Sequence, residues 1–399
     1  MTGKLWQPPR LFQQAHAGHA ERKVTWLELF FDLVYVATFI QLGDLLSENV
    51  SLLGFGQFAL LFVPIWWSWT GITFFSNRFL ADDWVHRVLI FTQILAIGAV
   101  GVSVKGAFTG LAVQFTVAYV AVRLIMVVLY YRAALRIPEA REFCLRYANG
   151  FLIAALIWLA AAFVPPPYTP LVWVAGMLAD FAVALSAKSR RLNAALPIDV
   201  HHTAERYGIF IIIVLGETFV KVLSSTSGAE LTAPVGVFAL FAMIIVSCLW
   251  WRYFDDIAGA LVKATGRATY IWIYSHLPLA LGLVAYGVGV KKLLLEIDHP
   301  VLPDKYRWLI CGALLLYLLF IAVMESDTVR EGDDFSATLR AVLGYGSAVL
   351  VLVVALLGSG WNSTLLIAVL AAVFALQIVV HIVLDRSQAA GDGSHAQLP

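Results

Sequence analysis

The sequence predicts an all-α integral membrane protein of about twelve transmembrane helices in two parallel six-helix repeats. Three observations carry this. The 399 residues are 61% hydrophobic and 13% charged, with a mean hydropathy of +0.83, whereas a soluble domain is about half apolar and roughly a quarter charged. Apolar runs of about 20 residues, enough to cross a hydrocarbon core of roughly 30 Å, recur along the whole chain. Lysines and arginines then fall unevenly between alternate loops, as they do in membrane proteins.

Taken in order, the runs are 25–46, 52–75, 87–104, 108–131, 148–164, 170–187, 203–223, 233–251, 269–290, 307–324, 339–357 and 363–384. The fifth ends at Pro165, Pro166 and Pro167, and the turn from Gly358 to Ser363 separates the last two. Placing the N-terminus inside puts 20 Lys and Arg residues in cytoplasmic segments and 6 outside, with Arg123 left within a span. That division predicts a cytoplasmic-membrane protein with both termini cytoplasmic. The expected organisation is a tail over 1–24, six-helix halves over 25–200 and 201–385, and a disordered tail over 386–399. Residues 1–23 hold Pro8, Pro9, Gln13 and Gln14 in place of an apolar signal core, so the first span is expected to direct insertion.

Composition also excludes functions. A net charge of +1 leaves no basic face for nucleic acid. Cys144, Cys248 and Cys311 show neither metal nor disulfide spacing. There is no nucleotide-binding loop, HExxH helix or GxSxG elbow, so no cofactor and no catalytic set are assigned, and an ATP-driven pump has no support.

The first span carries Glu28, Asp32, Gln41 and Asp44. Its segment Phe31–Asp44 aligns with Ala204–Glu217, setting Asp32 over Glu205, Leu42-Gly43 over Leu215-Gly216, and Asp44 over Glu217. Further on, Ile65–Trp69 (IWWSW) resembles Leu249–Tyr253 (LWWRY). A duplication would relate two similarly oriented halves by an axis along the membrane normal, a plan common among transporters. Twelve residues of helix rise about 18 Å, so at least one acid of each pair lies at hydrocarbon depth. There it must face the interior, meet a cation or be protonated.

Glu28 and Asp32, four residues apart, share one helix face. They suit proton exchange, or alternatively pairing with Arg22, Lys23 or Arg206. The segment from His201 to Gly208 (HHTAERYG) clusters His201, His202, Glu205 and Arg206, and spacing favours His201 with Glu205. A metal there would lack a third defined ligand. Arg123 and Asp180 lie deep in their spans and are expected to pair, His276 and His381 are further buried candidates, and Glu217 is expected to pair with Lys221. Gly43 and Gly216 read as packing positions. The segment Trp250–Asp256 (WWRYFDD) reads chiefly as an interfacial aromatic anchor, with Arg252 near Asp255 or Asp256.

The segments ELFFDLVYVATFIQLGDLL and HHTAERYGIFIIIVLGETFVKVL resemble the bacterial low temperature requirement protein A family. Its recurring elements are an ELFFDLVFV-type first span and an H-x-x-E-R-x-G…LGE seventh span. The matching positions here are Glu28–Leu33, then His202, Glu205, Arg206, Gly208, Leu215, Gly216 and Glu217. The resemblance implies a multi-pass inner-membrane protein and names no substrate. Three functional readings follow. In the first, a proton-linked transporter moves protons or a small molecule through Glu28, Asp32, Asp44, His202, Glu205, Arg206 and Glu217, with Asp180 and Arg123. The others are a lipid- or quinone-modifying enzyme using His201, His202 and Glu205, and a scaffold or sensor in the bilayer.

Overall fold

A computed structural model describes residues 9–12, 24–81, 83–228, 230, 232–258, 261–262, 266–326, 328–329 and 337–395. Thirteen helices run through them: α1 Trp26–Glu48, α2 Leu52–Arg78, α3 Trp84–Ser103, α4 Ala112–Arg136, α5 Arg141–Ala160, α6 Thr169–Leu185 and α7 Ala187–Ala195. The chain continues with α8 Val200–Ser227, α9 Ala233–Tyr253, α10 Gly266–Leu295, α11 Asp304–Ser326, α12 Ala337–Leu357 and α13 Ser363–His395. Two short antiparallel pairs, β1 Arg10–Leu11 with β2 Phe79–Leu80 and β3 Leu261–Val262 with β4 Thr328–Val329, are the described strands.

Each of the twelve apolar runs lies on one of these helices. Ten helices are long and apolar enough to cross a membrane: α1 to α5, α8 to α11, and α13. The sixth run differs from a single straight span, because α6 and α7 meet at a 51° bend. Ser186 causes the break: its backbone is extended, and its hydroxyl accepts from Ser189 N and so caps a new helix. The apolar part of α12, Val342–Leu357, is shorter than a full span. At the end of the chain, α13 runs to His395, past position 386 where composition predicts a disordered tail.

Local sequence explains where the helices start. Thr25 and Glu28 form a reciprocal capping box on α1: Glu28 N donates to Thr25 Oγ1 (3.3 Å), and Thr25 N donates to Glu28 Oε2 (2.9 Å). Ser51, Asp83, Asp199 and Asn362 accept from the first turns of α2, α3, α8 and α13. Pro64 and Pro278 lie inside α2 and α10, positions tolerated in membrane helices where neighbours re-satisfy the backbone. Large apolar side chains such as Leu95 and Val102 stay exposed at 74% and 82%, as a lipid-facing surface requires.

The backbone divides into two compact units: Met1–Leu45 with Gly56–Phe210, and Leu46–Phe55 with Ile211–Pro399. In the first, α3 packs on α4, α4 on α5 and α5 on α6. Fully buried Trp66, Trp69, Trp158 and Trp173 fill its core, and Trp173 Nε1 donates to Thr116 Oγ1 at 2.9 Å. In the second, α10 packs on α11, α11 on α12, and α9 on α13. Buried Trp272, Tyr286 and Tyr317 lie in that core.

Candidate functional site

The first turn of α8 is tied down before any charge is considered. Asn77, at the end of α2, donates to Asp199 O (2.9 Å) and Thr203 Oγ1 (3.0 Å), and accepts from Asp199 N (2.8 Å). A cavity of about 250 Å³ adjoins this corner, lined by Leu11, Phe12, Asn77, Arg78 and residues 196–199. Tyr207, one position beyond Arg206, packs edge-on against Trp69 with ring centroids 4.8 Å apart. These contacts fix which face of α8 turns inward.

On that face Arg206 meets both acids of α1. Its Nε donates to Asp32 Oδ2 at 3.1 Å and its Nη2 to Asp32 Oδ1 at 2.5 Å, a side-on fork. Its Nη1 lies 3.1 Å from Glu28 Oε1. Trp69 Nε1 adds a 2.7 Å hydrogen bond to Asp32 Oδ1. Asp32 is 0% exposed, Arg206 and His202 1%, and Glu28 8%. His202 Nε2 stands 3.5 Å from Glu28 Oε1, and its Nδ1 3.9 Å from Glu205 Oε2. Four ionisable groups thus converge where α1 and α8 begin. A guanidinium stays charged at any physiological pH.

The other sequence candidates fall elsewhere. Asp44 is partly exposed and lies 3.5 Å from Lys105. Glu205 is 45% exposed at its side chain and reaches the clamp only through His202. Glu217 is half-buried on the part of α8 that belongs to the second unit. Arg123 and Asp180 are fully buried and paired with each other, with the guanidinium 4.4 Å from the centroid of Phe151. Arg22 and Lys23, the alternative partners for the α1 acids, lie outside the described residues.

Three expectations need correction. His201 is exposed, and the histidine that reaches the acids is His202, because the ties through Asn77 and Tyr207 turn that side of α8 inward. A Cβ added at Gly216 would meet no atom within 4 Å, so the described residues of this chain do not pack closely on that glycine. In Trp250–Asp256, Trp250 and Trp251 are exposed as an anchor would be, but Arg252 and Asp256 are 1% and 3% exposed and paired inside the second unit. A local π turn over Phe254–Ala258 draws Asp256 inward. Trp69 was not legible as a carboxylate partner, since nothing local distinguishes it from the other tryptophans of IWWSW.

The chain matches the family model described as Bacterial low temperature requirement A protein (LtrA) over residues 23–384. It is also similar to Uncharacterized protein RA0937 of Rhizobium meliloti (strain 1021). The two are 28% identical over 317 residues, covering 75% of this chain and 76% of that protein.

Proposed function

The chain belongs to the bacterial low temperature requirement A family, and from that premise and the centre at Arg206 we propose a proton-linked secondary transporter of the inner membrane. The observation that carries the proposal is the buried clamp of one guanidinium on two carboxylates of another helix. Protonating either acid removes a charge-assisted contact and loosens the tie between α1 and α8. Such a tie closes in one protonation state and opens in another, which is what coupling requires. The Lys and Arg distribution supports a cytoplasmic position for the clamp, with both termini inside. His202, beside Glu28, would pass the proton.

A scaffold in which the same clamp only locks helices is favoured by its good geometry. The lipid- or quinone-modifying reading draws on His201, His202 and Glu205, of which only His202 faces the clamp. Vesicles containing the protein and a pH-sensitive dye separate these readings. We expect an imposed proton or potassium gradient to drive proton flux, and Glu28→Gln or Asp32→Asn to abolish it in vesicles holding equal amounts of folded protein. No flux under any gradient, with the amide variants lowering yield alone, would refute transport.

A further inference from the structure

The second unit holds a buried charged centre that the proposed transport reading does not use. Arg252, at the end of α9, donates through Nη1 to Asp256 on the π turn and through Nη2 to Glu325 on α11. His381 of α13 places Nε2 3.7 Å from Asp256 Oδ1. Arg252, Asp256, Glu325 and His381 are 1%, 3%, 0% and 5% exposed. Tyr317, two turns before Glu325 on α11, donates to Leu249 O, which fastens α11 to α9 beside the centre.

Two further features distinguish this cluster from a packing motif. The π turn over Phe254–Ala258 interrupts the α ladder where Asp256 projects, and such turns recur at functional sites. Gln377 is one helical turn before His381 on the same face of α13. It is 7% exposed, and neither amide atom has a hydrogen-bond partner among the described residues. A buried amide left so costs about 1–3 kcal/mol, and it offers a donor and an acceptor to a water delivering a proton to His381.

The composition repeats that of the first unit: one arginine bridging two carboxylates, with a histidine 3.5 or 3.7 Å from one of them. Duplication does not account for this. The alignment sets Asp32 over Glu205, and Ser68 over Arg252. Different helices supply the same four groups in each unit. A His–Asp contact of this kind is one that a proton can bridge.

We infer that His381 and Asp256 form a proton-binding site in the second unit, with Arg252 and Glu325 holding Asp256 in place. The elements of this unit around the centre each carry titratable groups. On α9 and its π turn they are Arg252, Tyr253 and Asp256, with Asp255 exposed. On α11 they are Glu325 and Tyr317, and on α10 His276, hydrogen-bonded through Nε2 to Tyr253 at 2.9 Å. On the described side chains of α12 the titratable group is Tyr345, 41% exposed.

The test is a histidine NMR titration of the full chain in lipid nanodiscs, with the His381 signal assigned through His381→Gln. We expect the His381 signal to change state over the titrated pH range. Asp256→Asn should move the midpoint of that change, because the partner 3.7 Å away is gone. A His381 signal that stays in one state across that range in the wild-type protein overturns the inference, even should Asp256→Asn fail to fold. An unchanged midpoint in folded Asp256→Asn overturns it as well. A protein that shows no flux yet titrates at His381 keeps this site and loses only transport.

Discussion

Replacing Arg206 with methionine tests the clamp most directly. The substitution keeps an apolar stem of similar length but removes the two hydrogen bonds to Asp32 and the contact at 3.1 Å with Glu28. The two acids do not suffer equally. Glu28 is 8% exposed and keeps the Thr25 cap, so water and backbone still serve it. Asp32 is 0% exposed and keeps only the Trp69 hydrogen bond. Breaking a buried ion pair by removing one partner costs about 3–5 kcal/mol, roughly two to three and a half powers of ten in the folding equilibrium. Asp32→Asn in the same chain removes the stranded charge while its carbonyl oxygen still accepts from Trp69. The double variant should therefore recover about 2–3 kcal/mol, a coupling typical of residues in direct contact. Reversible unfolding in bicelles, read by tryptophan fluorescence, measures all four corners of this cycle. Two results refute the reasoning: a single variant within about 0.5 kcal/mol of wild type, or a double variant no more stable than the single.

Two further substitutions probe the first unit through the same unfolding assay. Gly176→Ala places a methyl 2.4 Å from Trp158 Cδ1 and 2.6 Å from its Nε1, and Trp158 is fully buried against Tyr119 at 4.3 Å. We expect a loss of about 1–3 kcal/mol from overpacking, while Gly98→Ala, with no atom within 4 Å of the added carbon, serves as the unstrained control. Lys105→Ala removes the partner of Asp44, but the side chains are 43% and 32% exposed, so the change should stay below about 1 kcal/mol.

The helices were legible because hydropathy is written residue by residue, and among the described residues ten helices are long and apolar enough to cross a membrane. The bend at Ser186 was less so: the run 170–187 stays apolar through it, and only the cap on Ser189 N reveals a new helix. The clamp was half legible. The four-residue spacing of Glu28 and Asp32 put both acids on one face, and Arg206 stood among their possible partners. Which histidine joined them was not legible, because that depends on how Asn77 and Tyr207 fix the rotation of α8. The centre at Arg252 was legible only in the pairing of Arg252 with Asp256. Its acids lie 69 positions apart in the chain (Asp256 and Glu325), at helix ends where a charge reads as interfacial.

The two segments aligned by sequence differ in the fold at their acids. Asp32 is aligned with Glu205, and Leu33 with Arg206. In the fold, Asp32 and Arg206 are buried, whereas Leu33 is 52% exposed and the Glu205 side chain 45%. At other aligned positions both residues are buried, as with Thr38 and Ile211 or Leu42 and Leu215, so the difference is local to the acids. There the buried acid of α1 meets the arginine that follows the exposed acid of α8. Two like acids brought together in a low dielectric would repel, whereas the acid and the arginine attract. The aligned segments thus supply complementary groups rather than identical ones.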